Sequence, residues 1–392
     1  MPALALAAKY LRARDRGKAL LKGIYLAACL HVSKETAVLI DELRSLGLDI
    51  RLVAANPLST QDSIVAFLRS TGIDVFAKSE ERKEEYREMI RKSAGSKPEL
   101  IVDDGGELHV AYSKLGLSSC RGGTDETTSG TSRLRALDLE GKLKYPIIPV
   151  NEAQTKHIFD NQFGSGQSAL DGLLRATDLL LAGKCVVVAG FGWVGRGVAQ
   201  RARGLGARVI VTEVDGVKAL ESHLEGFEVL PMNEAAPKGD IFLTCTGQIE
   251  VLRGEHFELM KEGAVLGNVG HFDREIDIAA LKKKARKIEQ VRNNVSRIET
   301  AEKSLYLLCN GRVVNLVAAE GHPPEVMQLS FANQLLSLYY LVEHEKELRD
   351  MKPRLLGFPR EIDILVTDLA LKGFDLKIDD LTSRQKKYSQ SY

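Results

Sequence analysis

The sequence predicts an α/β fold with two doubly wound parallel sheets, a cleft between them and a short C-terminal arm. Short apolar runs alternate with longer amphipathic segments twice along the chain, first over about 150 residues and again after Gly183. Such alternation produces parallel sheets with right-handed crossovers. In addition, the glycine-rich segment 190–195 directly follows an apolar run and opens a helical pattern. That context is typical of Rossmann-like domains.

The first series begins with an amphipathic N-terminal helix. Strands are predicted at 24–28, 49–55, 75–77 and 99–104. Between them the pattern predicts helices over 33–46, from about 60 to 72, and over 80–92, with Ser33 as the first N-cap. The segment 121–133, RGGTDETTSGTSR, has no apolar period. Its many Gly, Thr and Ser residues predict a functional loop or a linker.

The second series predicts strands at 185–190, 208–213, 240–245 and 264–270, with a helix over 198–205 after the glycine turn. Asn310-Gly311 lies between apolar runs in the segment 304–316, which predicts a β-hairpin with a type I′ turn. A long amphipathic helix is expected over 329–348. The remaining tail is polar, and we expect its end to be mobile.

Composition excludes several classes of protein. The chain has 392 residues, enough for two or three domains, and 54 basic against 53 acidic residues give a net charge of +1. We therefore expect neither nucleic acid nor a membrane as a partner. The N-terminal segment carries its positive charges after its apolar stretch, the reverse of a secretory signal. The five cysteines lack metal-binding spacing, which favours a cytoplasmic protein without structural zinc.

The glycine-rich turn matches the GxGxxG dinucleotide fingerprint through Gly190, Gly192 and Gly195. These glycines allow a tight turn, a close approach of the pyrophosphate and close packing of helix on strand. Glu213 ends the next strand, where an acid binds the ribose 2′-hydroxyl and favours NAD over NADP. Cations lie nearby at Arg196 and Lys218, so the preference stays open at this point. The alternative is a glycine turn without a ligand.

Acidic residues close two segments of the first series. Asp104 follows an apolar strand, and ligands bind open α/β sheets at the carboxyl ends of strands. A carboxylate there can be a general base, whereas the alternative is a strand-end Asx turn. In the segment 124–130 an acid stands beside three consecutive hydroxyl residues, which suit a ribose or a nicotinamide amide. A solvated capping loop would have the same composition.

Lys156 and Asp160 are four residues apart and share a face if the segment is helical. Such a pair can relay a proton from a sugar hydroxyl, but it can equally be a surface ion pair worth ~0.3–0.5 kcal/mol. His31, His271 and His322 follow strand ends or lie in a hinge-like segment. A histidine there can act as acid or base, although each could also be structural.

Taken together, these motifs identify a family resemblance. The segments CLHVSKETAVLI, NPLSTQD, DDGGEL, DETTSG, TKHIFDNQFGSGQS, AGFGWVGRG, GHFDREID, GRVVNL, GHPPEVM and SFANQ carry it, from about residue 26 to about residue 388. In this combination and order the chain resembles S-adenosyl-L-homocysteine hydrolase, in its shorter, archaeal-type branch. The resemblance implies reversible hydrolysis of S-adenosyl-L-homocysteine to adenosine and homocysteine. It also implies NAD as cofactor, used for transient oxidation at ribose C3′, elimination across C4′ and C5′, and addition of water.

The resemblance also implies roles for individual residues. The expected catalytic residues are Asp104, Glu126, Lys156, Asp160, His31, Asn161 and His271. The nucleoside is expected at Ser33, Glu35 and His322, and Phe272 joins His271 in a gate over the homocysteine channel. NAD contacts are expected from Thr127, Thr128, Ser129, Gly190, Gly192, Trp193, Val194, Gly195, Arg196, Gly197, Glu213, Lys218, Val269, Gly270, His271 and Asn315. No metal site is expected other than a monovalent cation near Gln61.

The chain departs from the commonest family pattern at several positions. Ser165 replaces a cysteine, Lys218 replaces an asparagine, and Trp193 and Arg196 replace an aspartate and a lysine in the fingerprint. Ser33 and Ser129 replace threonines and keep a hydroxyl. The C-terminal lysine and tyrosine that reach a neighbour's NAD in longer members have no clear counterpart. We therefore expect faster cofactor exchange.

The predicted organisation has three parts. Residues 1–155 and 323–355 form the nucleoside-binding domain, 160–321 the NAD-binding domain, and 356–392 an oligomerisation arm that implies a homotetramer. One alternative is the same chemistry on a deaminated base, S-inosyl-L-homocysteine hydrolysis; Glu35, as an acceptor for the adenine amino group, favours adenosine. The others are an NAD dehydrogenase for a small hydroxy acid and a non-catalytic relative that senses NAD or nucleosides.

Overall fold

The computed structural model describes residues 1–15 and 17–389, and its strands form two sheets. The first sheet is wholly parallel, in the order β3-β2-β1-β4-β5-β6. Its strands are β1 (Tyr25–Leu30), β2 (Asp49–Ala54), β3 (Asp74–Phe76), β4 (Leu100–Asp103), β5 (Gly122–Asp125) and β6 (Ile147–Pro149). The four strands predicted in this half are confirmed.

The second sheet repeats this order and extends it. Its parallel part runs β9-β8-β7-β10-β11-β14, and β13 and β12 add an antiparallel edge. The strands are β7 (Cys185–Ala189), β8 (Arg208–Thr212), β9 (Glu228–Val229), β10 (Ile241–Thr244), β11 (Val265–Asn268), β12 (Lys287–Arg292), β13 (Val295–Glu299) and β14 (Ser304–Leu308). Both parallel orders are those of a doubly wound nucleotide-binding fold, which confirms the predicted fold class.

Helices cover both sheets. Those around the first sheet are α1 (Pro2–Asp15), α2 (Lys34–Ser45), α3 (Asp62–Ser70), α4 (Lys83–Gly95), α5 (Glu107–Leu115) and α6 (Thr128–Leu139). Those that lead into and surround the second are α7 (Gln154–Lys156), a π-helix (His157–Gly164), α8 (Ser165–Thr177), α9 (Trp193–Gly204), α10 (Gly216–Leu224), α11 (Met232–Ala235), α12 (Gly254–Leu259), α13 (Ile278–Lys284) and α14 (Val314–Val317). The chain then returns with α15 (Pro324–Glu343), α16 (Glu345–Arg349), α17 (Arg360–Gly373) and α18 (Ser383–Tyr388).

The long helix α15 packs on the first sheet after the second sheet is complete. It shares one apolar core with α1, α17 and the strands, through side chains such as Leu4, Leu335 and Val366. Helix α17, which lies within the predicted arm over 356–392, thus packs on this core in the same chain, and the role of the arm in oligomerisation stays a prediction. None of the described helices combines the length and the apolar character needed to cross a bilayer.

The loop predicted over 121–133 is wrong, because this segment forms β5 and the first turns of α6. The strand has no apolar pattern since its neighbours pack directly on glycine. A Cβ on Gly122 would lie 2.9 Å from the side chain of Leu341, and one on Gly123 would collide with the ring of His109. The hydroxyl-rich part is the cap of α6, where Thr127 accepts a hydrogen bond from the Gly130 amide.

The hairpin predicted at Asn310-Gly311 is also wrong. Both residues have positive φ, 54° and 82°, as a type I′ turn requires. The chain leaves the turn, however, to enter α14 instead of pairing back on β14. The antiparallel strands are β12, β13 and β14, and the turn between the first two contains Asn294 with φ 61°.

Candidate active site

Both sheets have a switch point where the strand order reverses, between β1 and β4 and between β7 and β10. Ligands bind open α/β sheets in these crevices. His31 follows β1 and Asp104 follows β4, while the glycine turn follows β7 and His271 follows β11. The two crevices meet, because His271 from the second sheet lies beside Asp104 from the first.

Asp104 lies between two histidines. Its Oδ2 is 3.5 Å from His31 Nε2, and its Oδ1 is 3.9 Å from His271 Nδ1. Asp104 is buried, and its Oδ1 has no hydrogen-bond partner among the described residues. The neighbouring Asp103 takes the turn role instead, since its carboxylate accepts from the amides of Asp104 and His109 at 2.9 Å each. Of the two predicted roles at this strand end, Asp103 thus makes the turn contacts, and the neighbouring Asp104 keeps the free oxygen that a general base needs.

Burial dominates the electrostatics of this cluster. It raises the pKa of Asp104 above its ordinary value, against the opposing effect of His271. It also lowers the pKa of His31 and of His271 to about 4. Burial and the charge of Asp104 raise the pKa of Glu126 to about 8. Near neutral pH both histidines are therefore neutral and Glu126 is protonated, so its carboxyl can donate a hydrogen bond.

Lys156 and Asp160 form a buried pair, so the surface ion pair is excluded. Lys156 Nζ is 3.5 Å from Asp160 Oδ1 and donates to Asn161 Oδ1 at 2.8 Å. Both residues are 3% exposed. Asn151 Oδ1 accepts from Asn161 Nδ2 at 2.9 Å and from Lys156 Nζ at 3.3 Å, which ties the group together. The segment after Lys156 is π-helical, a conformation frequent at functional sites.

Asp160 also accepts from α15 and from the hinge segment. Ser330 Oγ donates to its Oδ2 at 2.5 Å, and His322 Nδ1 lies 2.9 Å from its Oδ1. Burial alone would raise the pKa of Asp160, but Lys156, His322 and Ser330 together hold it well below its ordinary value. Asp160 is thus a stable anion that can hold a lysine ammonium in place.

Two of the residues expected at the nucleoside, Ser33 and Glu35, lie just after β1, whereas the third, His322, contacts Asp160. Ser33 caps α2 by accepting from the Thr36 amide, and Glu35 is buried in the first turn of that helix. Ser59 Oγ is 2.5 Å from His31 Nδ1. Gln61 donates its backbone amide to Val32 at 3.0 Å, and the cation expected near it stays a prediction.

Glu126 and the hydroxyl residues after it lie between β5, α6 and α15. Gln334 Nε2 donates to Glu126 Oε2 at 3.4 Å. Thr128 Oγ1 accepts from Asn151 at 2.9 Å, and Ser129 Oγ donates to Thr127 Oγ1 at 3.4 Å. The NAD contacts expected of these three hydroxyl residues stay predictions.

The glycine turn has the geometry that a pyrophosphate needs. Gly190 has φ 94°, and a Cβ on Gly195 would overlap the carbonyl oxygen of Gly190. A Cβ on Gly192 would meet nothing within 4 Å. Packing therefore explains Gly195 but not Gly192, which leaves open space at the N-terminus of α9, where Trp193 and Val194 begin the helix. Free amides at a helix N-terminus favour phosphate.

Contacts beside the turn support NAD over NADP. The carboxylate of Glu213 accepts from the Phe191 amide at 2.6 Å and the Val214 amide at 2.7 Å, which fixes it at the end of β8. Arg196 pairs with Glu221 and with Glu225, and Lys218 Nζ lies 3.8 Å from an Asp215 oxygen. Arg196 and Lys218, the two cations that could have attracted the 2′-phosphate of NADP, thus lie beside acidic side chains.

The other predicted NAD contacts lie across the crevice from the turn. Val269 is buried, and a Cβ on Gly270 would overlap the carboxylate of Glu275. Asn315 is buried, and its Oδ1 has no partner among the described residues. An unpaired amide oxygen at this place fits the amide of a nicotinamide. Phe272 packs edge-on against His271 at 4.6 Å, as a gate pair would.

Several residues of the site were not singled out from the sequence. Asn151, Ser330 and Gln334 hold Lys156, Asp160 and Glu126. The i,i+4 spacing of Ser330 and Gln334, two of several polar residues on α15, was the signal available for them. Glu275 is a further case, since its buried carboxylate accepts from the amides of Thr246 and Gly247 and fixes the loop after β10.

Comparison with known proteins agrees with this site. Residues 1–115 match the family model "S-adenosyl-L-homocysteine hydrolase", and residues 161–321 match "S-adenosyl-L-homocysteine hydrolase, NAD binding domain". The predicted NAD cofactor is thereby confirmed. The adenosylhomocysteinase of Aquifex aeolicus is 51% identical over 95% of this chain and 90% of its own. The S-inosyl-L-homocysteine hydrolase of Methanocaldococcus jannaschii is 47% identical over 97% of this chain and 92% of its own.

Among solved structures, a dipicolinate synthase polypeptide from Bacillus halodurans is 13% identical and aligns with a TM-score of 0.51, over 82% of this chain and 99% of its own. That likeness concerns the fold alone. The identity to the curated relatives extends over nearly the whole chain, and the family models match segments in both halves of the fold. The chain therefore belongs to the S-adenosyl-L-homocysteine hydrolase family.

Proposed function

We propose that the protein catalyses the reversible hydrolysis of S-adenosyl-L-homocysteine to adenosine and L-homocysteine. The observation that carries the proposal is the nearness of two clusters: Asp104 at the switch point of the first sheet, and the buried Lys156–Asp160 pair on the helical segment between the two sheets, whose charges both act on Asp104. A thioether on C5′ is a poor leaving group, and oxidation at C3′ acidifies the C4′ proton. The two clusters provide separate groups for the proton of the 3′-hydroxyl and the proton of C4′.

The chain's residues fit NAD at the second switch point. The open space at Gly192, the unpaired Oδ1 of Asn315 and the fixed carboxylate of Glu213 suit a pyrophosphate, a carboxamide and a ribose diol. When bound, NAD would accept a hydride from C3′ and return it at the end of the cycle, so no net oxidation occurs.

Each cluster has a distinct task in the proposal. Lys156 Nζ, as the neutral amine, takes the 3′-hydroxyl proton; Asp160 and Asn161 hold the ammonium that results until it returns the proton. Asp104 takes the C4′ proton at its unpaired Oδ1, and burial strengthens it as a base. His31, neutral at physiological pH, moves protons at C5′ as homocysteine leaves and water enters. Glu126 binds the ribose hydroxyls, and His271 with Phe272 closes the homocysteine side.

The organisation remains part of the proposal. Residues 1–155 and 323–355 would bind the nucleoside and 160–321 NAD, with closure at the hinge excluding water from the reactive ketone. Residues 356–392 would contact neighbouring subunits in a homotetramer.

One relative supports a second candidate, hydrolysis of S-inosyl-L-homocysteine. The buried carboxylate of Glu35 favours adenosine, whose amino group donates where inosine has an oxygen. A competition assay decides between them: purified protein with NAD and homocysteine receives equal adenosine and inosine, and mass spectrometry counts the thioether products. We expect mostly S-adenosylhomocysteine. If most of the product is S-inosylhomocysteine, the substrate of the enzyme is the inosyl compound and the proposal of adenosine is rejected. If a folded, NAD-bound sample forms neither product, the protein is instead a relative that senses NAD or nucleosides.

A further inference from the structure

His322 lies in the hinge segment and contacts residues from three other elements. Its Nδ1 is 2.9 Å from Asp160 Oδ1. On its other edge, Nε2 is 3.1 Å from Ser165 Oγ and 3.2 Å from Asn315 Nδ2. One imidazole thus joins the π-helix, α8 and α14.

These contacts determine which nitrogen carries the proton. An ionised carboxylate only accepts hydrogen bonds, so Nδ1 must donate to Asp160. The amide nitrogen of Asn315 only donates, so Nε2 must offer its lone pair, to which the Ser165 hydroxyl can also donate. The contacts on the two edges of the ring therefore both favour the same tautomer, in which Nδ1 carries the proton and Nε2 does not.

The carboxylate of Asp160 is held mainly by residues other than Lys156. His322 and Ser330 hold its two oxygens at 2.9 and 2.5 Å, whereas Lys156 Nζ stands farther off, at 3.5 Å. Nζ makes a shorter bond, of 2.8 Å, to Asn161. The orientation of Asp160 therefore depends on His322 and Ser330 more than on Lys156.

We propose that His322, held in its Nδ1–H tautomer by Asn315 and Ser165, is a positioning residue that orients Asp160 and through it Lys156 Nζ. The inference rests on the proposed function and adds to it, because it links the hinge segment to the proton transfer at the 3′-hydroxyl. Asn315 keeps an unpaired Oδ1 as an acceptor for an amide N–H of the cofactor. A bound carboxamide would thus fix the amide orientation that presents Nδ2 to His322.

Two variants separate the edges of the ring. In His322→Asn the amide nitrogen lies near the position of Nδ1 and can still donate to Asp160. In His322→Gln it lies near the position of Nε2, and that donor is lost. We expect kcat to fall about 100-fold or more in the glutamine variant, in the range that proton-transfer groups contribute. The asparagine variant should keep about tenfold more activity than the glutamine variant, with KM for adenosine and bound NAD similar in the two. Equal losses, or the reverse order, would overturn the proposal.

A spectroscopic test needs no turnover. Long-range proton–nitrogen spectra of the NAD-bound wild-type protein, labelled with ¹⁵N-histidine, report the tautomer of each ring. The His322 signal is assigned by Ser165→Ala, which removes one contact of its Nε2. We expect protonated Nδ1 and unprotonated Nε2; a proton on Nε2 would contradict the proposal even if both His322 variants failed to fold. Failure of the wild-type protein to make the thioether would instead reject the proposed function.

Discussion

Gly192 in the dinucleotide turn and Gly197 in α9 should have different effects when each is replaced by alanine. A Cβ on Gly197 would overlap the carbonyl oxygen of Gln162 and lie 2.8 and 3.1 Å from the next two atoms of that backbone. A Cβ on Gly192 would meet nothing within 4 Å. Packing of α9 on the π-helix therefore explains Gly197, whereas no packing contact explains Gly192, the N-cap of α9, beside which the space is open for a ligand.

The magnitudes follow from these contacts. Relief of the Gly197→Ala clash needs a shift of about 1 Å between two backbones, because carbon atoms pack at roughly 3.5–4.0 Å. Overpacking costs about 3 kcal/mol, the upper end of its usual range, because the overlapped atoms are backbone; the helix propensity of alanine offsets about 1 kcal/mol, which leaves a net loss of about 2 kcal/mol. In Gly192→Ala the poorer N-cap is offset by a less flexible unfolded chain, so stability changes by less than about 0.5 kcal/mol.

Urea unfolding of the NAD-free variants and NAD titration of the folded proteins test this pair. We expect Gly197→Ala to lower the unfolding midpoint. Gly192→Ala should keep the wild-type midpoint but bind NAD about tenfold or more weakly, a loss of at least ~1.4 kcal/mol. Wild-type NAD affinity in Gly192→Ala would refute the reasoning, as would equal destabilisation by the two changes.

Three further predictions concern the charged residues. Lys156→Met should abolish turnover while NAD stays bound, and measurable turnover would remove the lysine from the mechanism. The variant should also be less stable than the wild type by about 3 kcal/mol. This is the low end for a broken buried ion pair, because Asp160 keeps two hydrogen-bond donors. The pKa of Glu126 is raised from 4.5 to about 8, so the folded protein holds a proton there that the unfolded chain releases. The free energy of unfolding should therefore fall as pH rises across that interval. In thermal unfolding, the melting temperature of Glu126→Gln should fall less with pH than that of the wild type, and parallel plots of melting temperature against pH for the two proteins would contradict this. Glu213→Gln should narrow the preference for NAD over NADP, and an unchanged affinity ratio would contradict the role of that carboxylate.

Periodicity was sufficient for the strands and helices that carry apolar patterns. It failed at β5, where Gly122 and Gly123 make room for Leu341 and His109, and the strand has no apolar alternation. It failed again at Asn310, where the local turn has the expected left-handed backbone but the tertiary fold directs the chain into α14. In both places contacts from distant residues decided the outcome.

The sequence likewise predicted only some features of the candidate active site. Spacing predicted that Lys156 and Asp160 would meet, but not that the pair would be buried. The two roles expected for the acid after β4 fell to Asp103 and Asp104 separately, a division that only the hydrogen bonds reveal. Asn151 and Ser330 come from other elements, and no local pattern connects them to the residues they hold.

The central claim is that the protein uses NAD without net oxidation. Rapid mixing of the NAD-bound protein with adenosine alone, followed by the near-ultraviolet absorbance of reduced nicotinamide, tests it most directly. We predict a rapid rise to less than one equivalent per protomer that stays with the protein on gel filtration and reverses when adenosine is removed. Continuous accumulation of NADH in free solution, or no rise from a protein that retains NAD and binds adenosine, would contradict the account.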